Sequence, residues 1–257
     1  RNRVITVDAP DRAGVNVPTE KELLAIFAQV ETSQVAPYSE DISDAPLVEN
    51  VPPPGQITAH DSIPELGVAR WTLSNGVRVQ LKSTNFKNDE VLFSAHSPGG
   101  HSLVEDADYI AAATASSVVR EGGLGPFNRI ELEKKLAGKV VAVSPTIGML
   151  QEGISGMASP KDMQTMFELI YAYFTVPTTD STAYKSFKKR IEGSIQNRNA
   201  RPETAYGDTI QVTMASHHHR ARPWSMEMLD EMDMEKSMQI YRERFADASD
   251  FTFTFVG

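Results

Sequence analysis

The spacing of apolar positions changes rhythm along the chain, and each change marks an element. Residues 3–7 alternate and are β-branched, which predicts a short strand with no evident partner. After a loop through Pro10 and Gly14, Thr19 stands as a helix N-cap and Glu22 supplies the second half of a capping box. Leu23, Leu24, Ile26, Phe27 and Val30 give that helix one apolar face. Between residues 36 and 67 the periodicity collapses: six prolines, from Pro37 to Pro64, punctuate a stretch that also carries Glu40, Asp41, Asp44 and Glu49. Such a composition fits an extended inter-domain linker or an ordered strap along a domain surface, and both readings stay open at this level.

Strand rhythm returns at Trp71. Two alternating runs around Asn75-Gly76 predict a hairpin over residues 71–81, with a type I′ turn in which both central residues take positive φ. A third strand over 91–96 ends at Pro98-Gly99-Gly100, and an amphipathic helix over 106–121 stops at Gly122-Gly123. Its small residues, Ala111, Ala112, Ala113, Ala115, Ser116 and Ser117, suit a helix pressed against a sheet. Asn128 with Glu131 caps a second helix that Gly138 closes. Residues 139–144 and 147–157 then read as two strands joined at Pro145-Thr146. Ser159-Pro160 starts a helix to about residue 174, with Met163, Met166, Phe167, Ile170 and Tyr171 on one face and Pro177 behind it. Helical patterns over 180–199, 202–217 and 225–245 precede a final strand over 250–256 that turns Phe251, Phe253 and Phe255 inward. Three strands, two helices, two strands, several helices and one strand is the order of an α+β fold, an antiparallel sheet with helices packed on one face.

Composition narrows the chemistry. A formal net charge of −9 argues against nucleic acid as a partner, because a phosphate footprint needs a basic patch. The Lys185, Lys188, Lys189, Arg190 cluster sits at helical spacing, as a solvated face does. No apolar run is long enough for a membrane helix. The 257 residues include no cysteine, which removes disulfides, thiolate nucleophiles and cysteine zinc sites. The chain opens on Arg1 rather than Met and is expected to be a piece of a longer protein.

The candidate clusters each carry an argument against them. His217, His218 and His219 are consecutive, so on a helix they point in different directions and cannot close a tetrahedral site by themselves; they read as a helix-end cluster beside Arg220 and Arg222. His96 and His101 flank the Pro98-Gly99-Gly100 turn with Glu105 nearby, at a spacing that fits no metal motif. Ser116-Ser117 lacks a G-x-S-x-G frame, and no phosphate-binding glycine motif occurs. From Tyr109 to Arg120 there is no His, Cys, Asp or Glu, so that helix holds no metal alone.

Taken in order, TLSNGVRVQLK, SPGGHSL, VVREGGLG, KKLAGKVVAVSP, SPKDMQTMFELIYAYFTVP and RERFADASDFTFTFVG resemble one repeat of the pitrilysin-like (insulinase-type) zinc peptidases. The resemblance covers residues 68–257, and NRVITVDAP with VPTEKELLAIFAQV resembles the end of a preceding repeat. It implies three segments: 1–35 as the tail of that repeat, 36–67 as a proline-rich linker between halves, and 68–257 as an α+β repeat, most like the third of four. Long members of the family close two halves around a peptide. Their catalytic repeat carries an inverted H-x-x-E-H on the first helix after the strands, two His binding zinc and the Glu activating water, with a distal Glu completing the site. Aligned by its glycine-terminated end, the helix here has Ala113, Ser116 and Ser117 at the three functional positions, while Glu192 falls in the region of the distal ligand. The resemblance therefore implies no catalytic residue, metal or cofactor in this chain, with zinc in the parent's catalytic repeat. It implies as partners the N-terminal half of the same polypeptide and peptide substrates, and the periplasm or cell envelope as the compartment. Two other functions remain open, a structural module of a peptidase-like assembly and an independent metal enzyme using the histidine run.

Overall fold

A computed structural model describes residues 4–9, 16–34, 43–198 and 201–257. Arg3, the loop at residues 10–14, Pro37, Glu40, Asp41 and Asn199 lie outside the described residues. The chain divides into two units, residues 1–41 and 42–257. In the first, helix α1 (Glu20–Thr32) begins with the expected capping box: the Glu22 N–H donates to Thr19 Oγ1 at 3.3 Å and the Thr19 N–H to Glu22 Oε2 at 2.7 Å. Residues 4–9 form no strand. Their β-branched alternation supplies propensity, but a strand exists through its partner's hydrogen bonds.

The second unit is built on one seven-stranded sheet: β1 (Ile57–Ile63), β2 (Val68–Leu73), β3 (Arg78–Lys82), β4 (Val91–Pro98), β5 (Val141–Ile147), β6 (Gln151–Ala158) and β7 (Thr252–Val256), in the order β1-β2-β3-β7-β4-β6-β5. The α+β class holds, and neighbours run antiparallel except β3 and β7, which pair in parallel, Arg78 opposite Thr252 through Lys82 opposite Val256. Part of the proline-rich stretch is structural. Ile57–Ile63 pairs along β2, and Leu47 is buried in the core, so residues from 43 onward follow the strap reading.

Two turns differ from expectation. The Asn75-Gly76 hairpin exists, but Leu73 pairs with Val77 across three residues, and Gly76 alone of the loop takes positive φ, at 88°. This is a type I turn followed by a left-handed glycine, which the right-handed strand twist also accepts. The β5–β6 connection lies at residues 148–150 instead of Pro145-Thr146, and Pro145 is buried within β5. The Gly148 N–H bonds the Gln151 carbonyl and the Ser159 N–H bonds the Val140 carbonyl, so the even positions of β5 face β6. The nitrogen of Pro145 therefore points to the open sheet edge, where a missing donor costs nothing and discourages further pairing.

Helices α2 (Tyr109–Gly122), α3 (Arg129–Lys135), α4 (Met163–Thr175), α5 (Ser181–Arg198), α6 (Pro202–Met214), α7 (Met226–Asp230) and α8 (Met234–Arg244) complete the unit. β4 alternates between Phe93, Ala95 and Ser97, buried, and Leu92, Ser94, His96 and Pro98, exposed. On the buried side Phe93, Phe251 and Phe253 meet Ala115 and Val119 of α2, Met166 and Leu169 of α4, and Tyr241 of α8 in one core.

A buried aspartate ties α4 to the start of β5. Asp162 Oδ2 accepts from the Ser159 hydroxyl at 2.6 Å and from the Val140 N–H at 2.9 Å. The bond from Ser159, then that from Val140, holds its carboxyl below the ordinary value. A depressed folded value contributes stability that is present above the unfolded carboxylate range and is lost as pH falls through the folded one. Asp162→Ala is thus expected to lower the unfolding midpoint at neutral pH, with the gap from the parent narrowing on acidification below about pH 4. A gap independent of pH in thermal melts would count against this role.

Candidate functional site

Small residues let α2 sink between the sheet and its neighbouring helices. Ile110, Ala111, Ala112, Thr114, Ala115, Ser116, Val118, Val119 and Gly122 are all buried. Thr114 Oγ1 donates to the Ile110 carbonyl at 2.7 Å, and Ser237 Oγ of α8 reaches the Ala111 carbonyl at 2.8 Å, locking the two helices. What remains at the surface is one strip: Ala113 and Arg120 are exposed and Ser117 is half-buried. At 100° per residue these three positions and Ser116 share an arc of about 100°.

Of the positions aligned with the motif, 113 and 117 therefore lie on that strip, and the buried Ser116 borders it. Arg120 completes it, with Nη2 donating to Ser117 Oγ at 3.1 Å and Nη1 to Ser144 Oγ of β5 at 3.5 Å. Ser116 Oγ is buried without a hydrogen-bond partner among the described residues. Glu121, at the next position, turns away to pair with Arg129 of α3 at 3.6 Å and with Arg190 of α5. Glu192 is half-buried on α5 and accepts from Gln196 Nε2 at 3.2 Å, a contact within its own helix.

The other candidates separate. His96 is on the exposed face of β4, whereas His101 is half-buried against the Tyr109 ring, centroids 5.1 Å apart. Burial, then the nearby Arg220 charge, pushes the His101 imidazole below its ordinary value. The Gly99-Gly100 turn serves close packing: its backbone donates to the Leu150 carbonyl at 2.8 Å and to the buried Glu152 carboxylate at 2.5 Å. At Gly100, φ 66°, a Cβ would stand 2.3 Å from the Gly148 carbonyl oxygen.

The histidine run ends α6 rather than extending it. The Ser216 N–H bonds the Thr213 carbonyl and the His217 N–H the Val212 carbonyl, with both residues at positive φ, 51° and 57°. This is a Schellman closure in which serine occupies the position usually given to glycine. His218 Nδ1 accepts from the Arg220 N–H, capping the turn His219–Ala221. Arg220 then clamps the loop before α2, bonding Asp106 Oδ1 at 2.7 Å and the His101 and Val104 carbonyls at 2.8 and 2.6 Å, over the Tyr109 ring. Nothing in the residues around Arg220 signals that clamp, because its partners lie more than a hundred positions earlier. Among the described residues no three His, Asp or Glu side chains are grouped for a metal ion, and no helix is long and apolar enough to cross a membrane.

A concavity of about 780 Å³ lies between α4, strands β2, β3 and β7 and the strap, lined mainly by Val48, Val77, Phe167, Tyr171, Phe174 and Phe255.

No family model matches the chain. A zinc protease PQQL-like protein of Arabidopsis thaliana is 28% identical over 228 residues, 88% of this chain and 21% of the relative. The fold agrees with the periplasmic protease PqqL of Escherichia coli, at a TM-score of 0.71 and 20% identity over 93% of this chain and 26% of that one. In sequence and in fold the chain is similar to the pitrilysin-like zinc peptidases. It also shares its fold with a peptidase M16 inactive domain from Pseudomonas fluorescens, at a TM-score of 0.60 and 12% identity, over 75% of this chain and 47% of that domain. The chain spans about a fifth of the length of the curated relatives it matches.

Proposed function

We propose that this pitrilysin-like chain is a catalytically silent repeat of a long zinc peptidase. Residues 36–67 are the link between halves and 68–257 the first repeat of the C-terminal half, third of four. Residues 1–35 are the tail of the repeat before it. The repeat contributes to the wall of the peptide-enclosing chamber and to substrate binding, and cleavage belongs to the N-terminal half.

The observation that carries this reading is the strip on α2. Where a catalytic repeat needs two imidazoles and a carboxylate, Ala113, Ser117 and Ser116 offer a methyl and two hydroxyls. One turn on, Arg120 places a guanidinium over the same strip. Zinc sites are built from imidazole, carboxylate and thiolate donors, and a fixed cation beside one opposes a dication. The residues present do not fit zinc.

Metal analysis and peptide hydrolysis on the purified chain test the proposal. Zinc is expected to be substoichiometric and peptide cleavage absent. Any residual zinc is expected to disappear with the His217→Ala, His218→Ala, His219→Ala triple change, which removes the exposed histidine run. One zinc per chain, retained by the triple variant and accompanied by chelator-sensitive hydrolysis, would sink the reading. In the parent reading frame an H-x-x-E-H is expected several hundred residues upstream; its absence would favour a structural module without a proteolytic role.

A further inference from the structure

We propose that the exposed strip of α2 is a carboxylate-binding site, formed by Arg120 with Ser116, Ser117 and Ser144, that holds an acidic group of a bound peptide. The choice of peptide as ligand rests on the function proposed above; the carboxylate chemistry rests on the geometry.

The neighbouring arginines find acids. Arg129 and Arg190 share Glu121, Arg220 takes Asp106, and Arg222 takes Glu231. Arg120 contacts neutral hydroxyls and, among the described residues, no carboxylate. A guanidinium has five N–H donors in a planar fork. With one from each terminal nitrogen directed at Ser117 and Ser144, the Nε edge and the second hydrogens remain for a ligand. That edge matches the two oxygens of a carboxylate.

Ser116 supplies the independent sign of a missing partner. The residue is 8% exposed, its hydroxyl has no hydrogen bond among the described residues, and it precedes Arg120 by one helical turn on the same arc. Thr114, on the same helix, satisfies its hydroxyl by bonding back to the Ile110 carbonyl, so the lack of such a bond at Ser116 is not imposed by the helix. A buried hydroxyl left unpaired is costly, and a turn of the Ser116 side chain toward a ligand oxygen at the strip would pair it. The C-terminal carbonyls of α2 favour the cation at Arg120 and help keep it there. Tyr173 reports the same field: burial pushes its phenol up and the Arg120 charge opposes that shift.

The test is an NMR titration of the 15N-labelled chain with three forms of one acetylated alanine-serine hexapeptide: a free C-terminal carboxylate, a C-terminal amide, and the amide with one internal Glu. At least one carboxylate-bearing form is expected to move the Arg120 Nε–H and Ser116 and Ser117 amide signals, while the neutral amide leaves them in place. Binding of the first form alone assigns the site to chain ends, and of the third alone to acidic side chains. Arg120→Gln is expected to weaken binding about tenfold or more, and Ser116→Ala about threefold, without lowering the unfolding midpoint. Arg120→Lys, which keeps charge but loses the fork, is expected to fall between parent and Arg120→Gln, and serves if the glutamine variant does not fold. Equal shifts with the neutral amide, or undiminished binding by the Arg120 variants, would overturn the proposal. These readouts need neither zinc nor cleavage, so they separate from failure of the peptidase reading.

Discussion

Replacing Tyr241 by alanine is expected to destabilise the second unit by about 3–5 kcal/mol and to lower its melting temperature by roughly 6–20 °C. Tyr241 is fully buried, stacks on Phe245 with ring centroids 4.4 Å apart and donates its hydroxyl to the Tyr173 carbonyl at 3.2 Å. It joins α8 to the end of α4 above the phenylalanines of β7, so truncation empties the junction of three elements. Tyr241→Phe keeps the ring and loses the hydrogen bond, for about 1 kcal/mol. Calorimetry on the two variants separates packing from polarity. A Tyr241→Ala midpoint within 2 °C of the parent, below the range set by its burial, would contradict this account.

Gly123→Ala is expected to be the second severe change, at about 2–5 kcal/mol, because two penalties coincide. Its φ of 114° is strained for any residue with a side chain, and an added Cβ would lie 2.1 Å from the Phe127 carbonyl oxygen and 2.8 Å from Asn128 Cα. Those are backbone atoms of the turn into α3, where the Asn128 side chain caps the helix, so no rotamer change relieves the clash. Gly138→Ala provides the control: its φ is also positive, at 79°, yet nothing lies within 4 Å of the added Cβ. Urea unfolding should show Gly123→Ala costing about 1–3 kcal/mol more than Gly138→Ala. Equal losses would mean that φ strain, not close approach, explains the Gly122-Gly123 pair. Because α2 carries the Arg120 strip, Gly123→Ala should also broaden the Arg120 Nε–H signal, whereas Gly138→Ala should leave it sharp.

That glycine pair illustrates how far local pattern goes. A stop signal for α2 was legible; the passage of Thr178 and Phe127 against it was not, since those contacts come from segments the helix does not specify. Pro145 shows the converse error. A proline between two apolar runs reads as a turn, and here it occupies the last strand of the sheet, a position recognisable only after the strand order is known. The histidine run drew attention by composition, yet its backbone closes α6, while Arg220 beside it makes the longer-range bonds.

Residue identity and short-range spacing were enough to establish both helix caps, the hairpin around Gly76, the amphipathic helices and the α+β class. Each depends on groups within a few positions of one another, where backbone geometry leaves few choices. The strand order, the parallel β3–β7 pair, the recruitment of residues 57–63 into the sheet and the meeting of Arg120 with Ser144 were decided by packing. These bring together segments far apart in the chain, and their free energy comes from the apolar surface and hydrogen bonds they share once folded, which no local window contains.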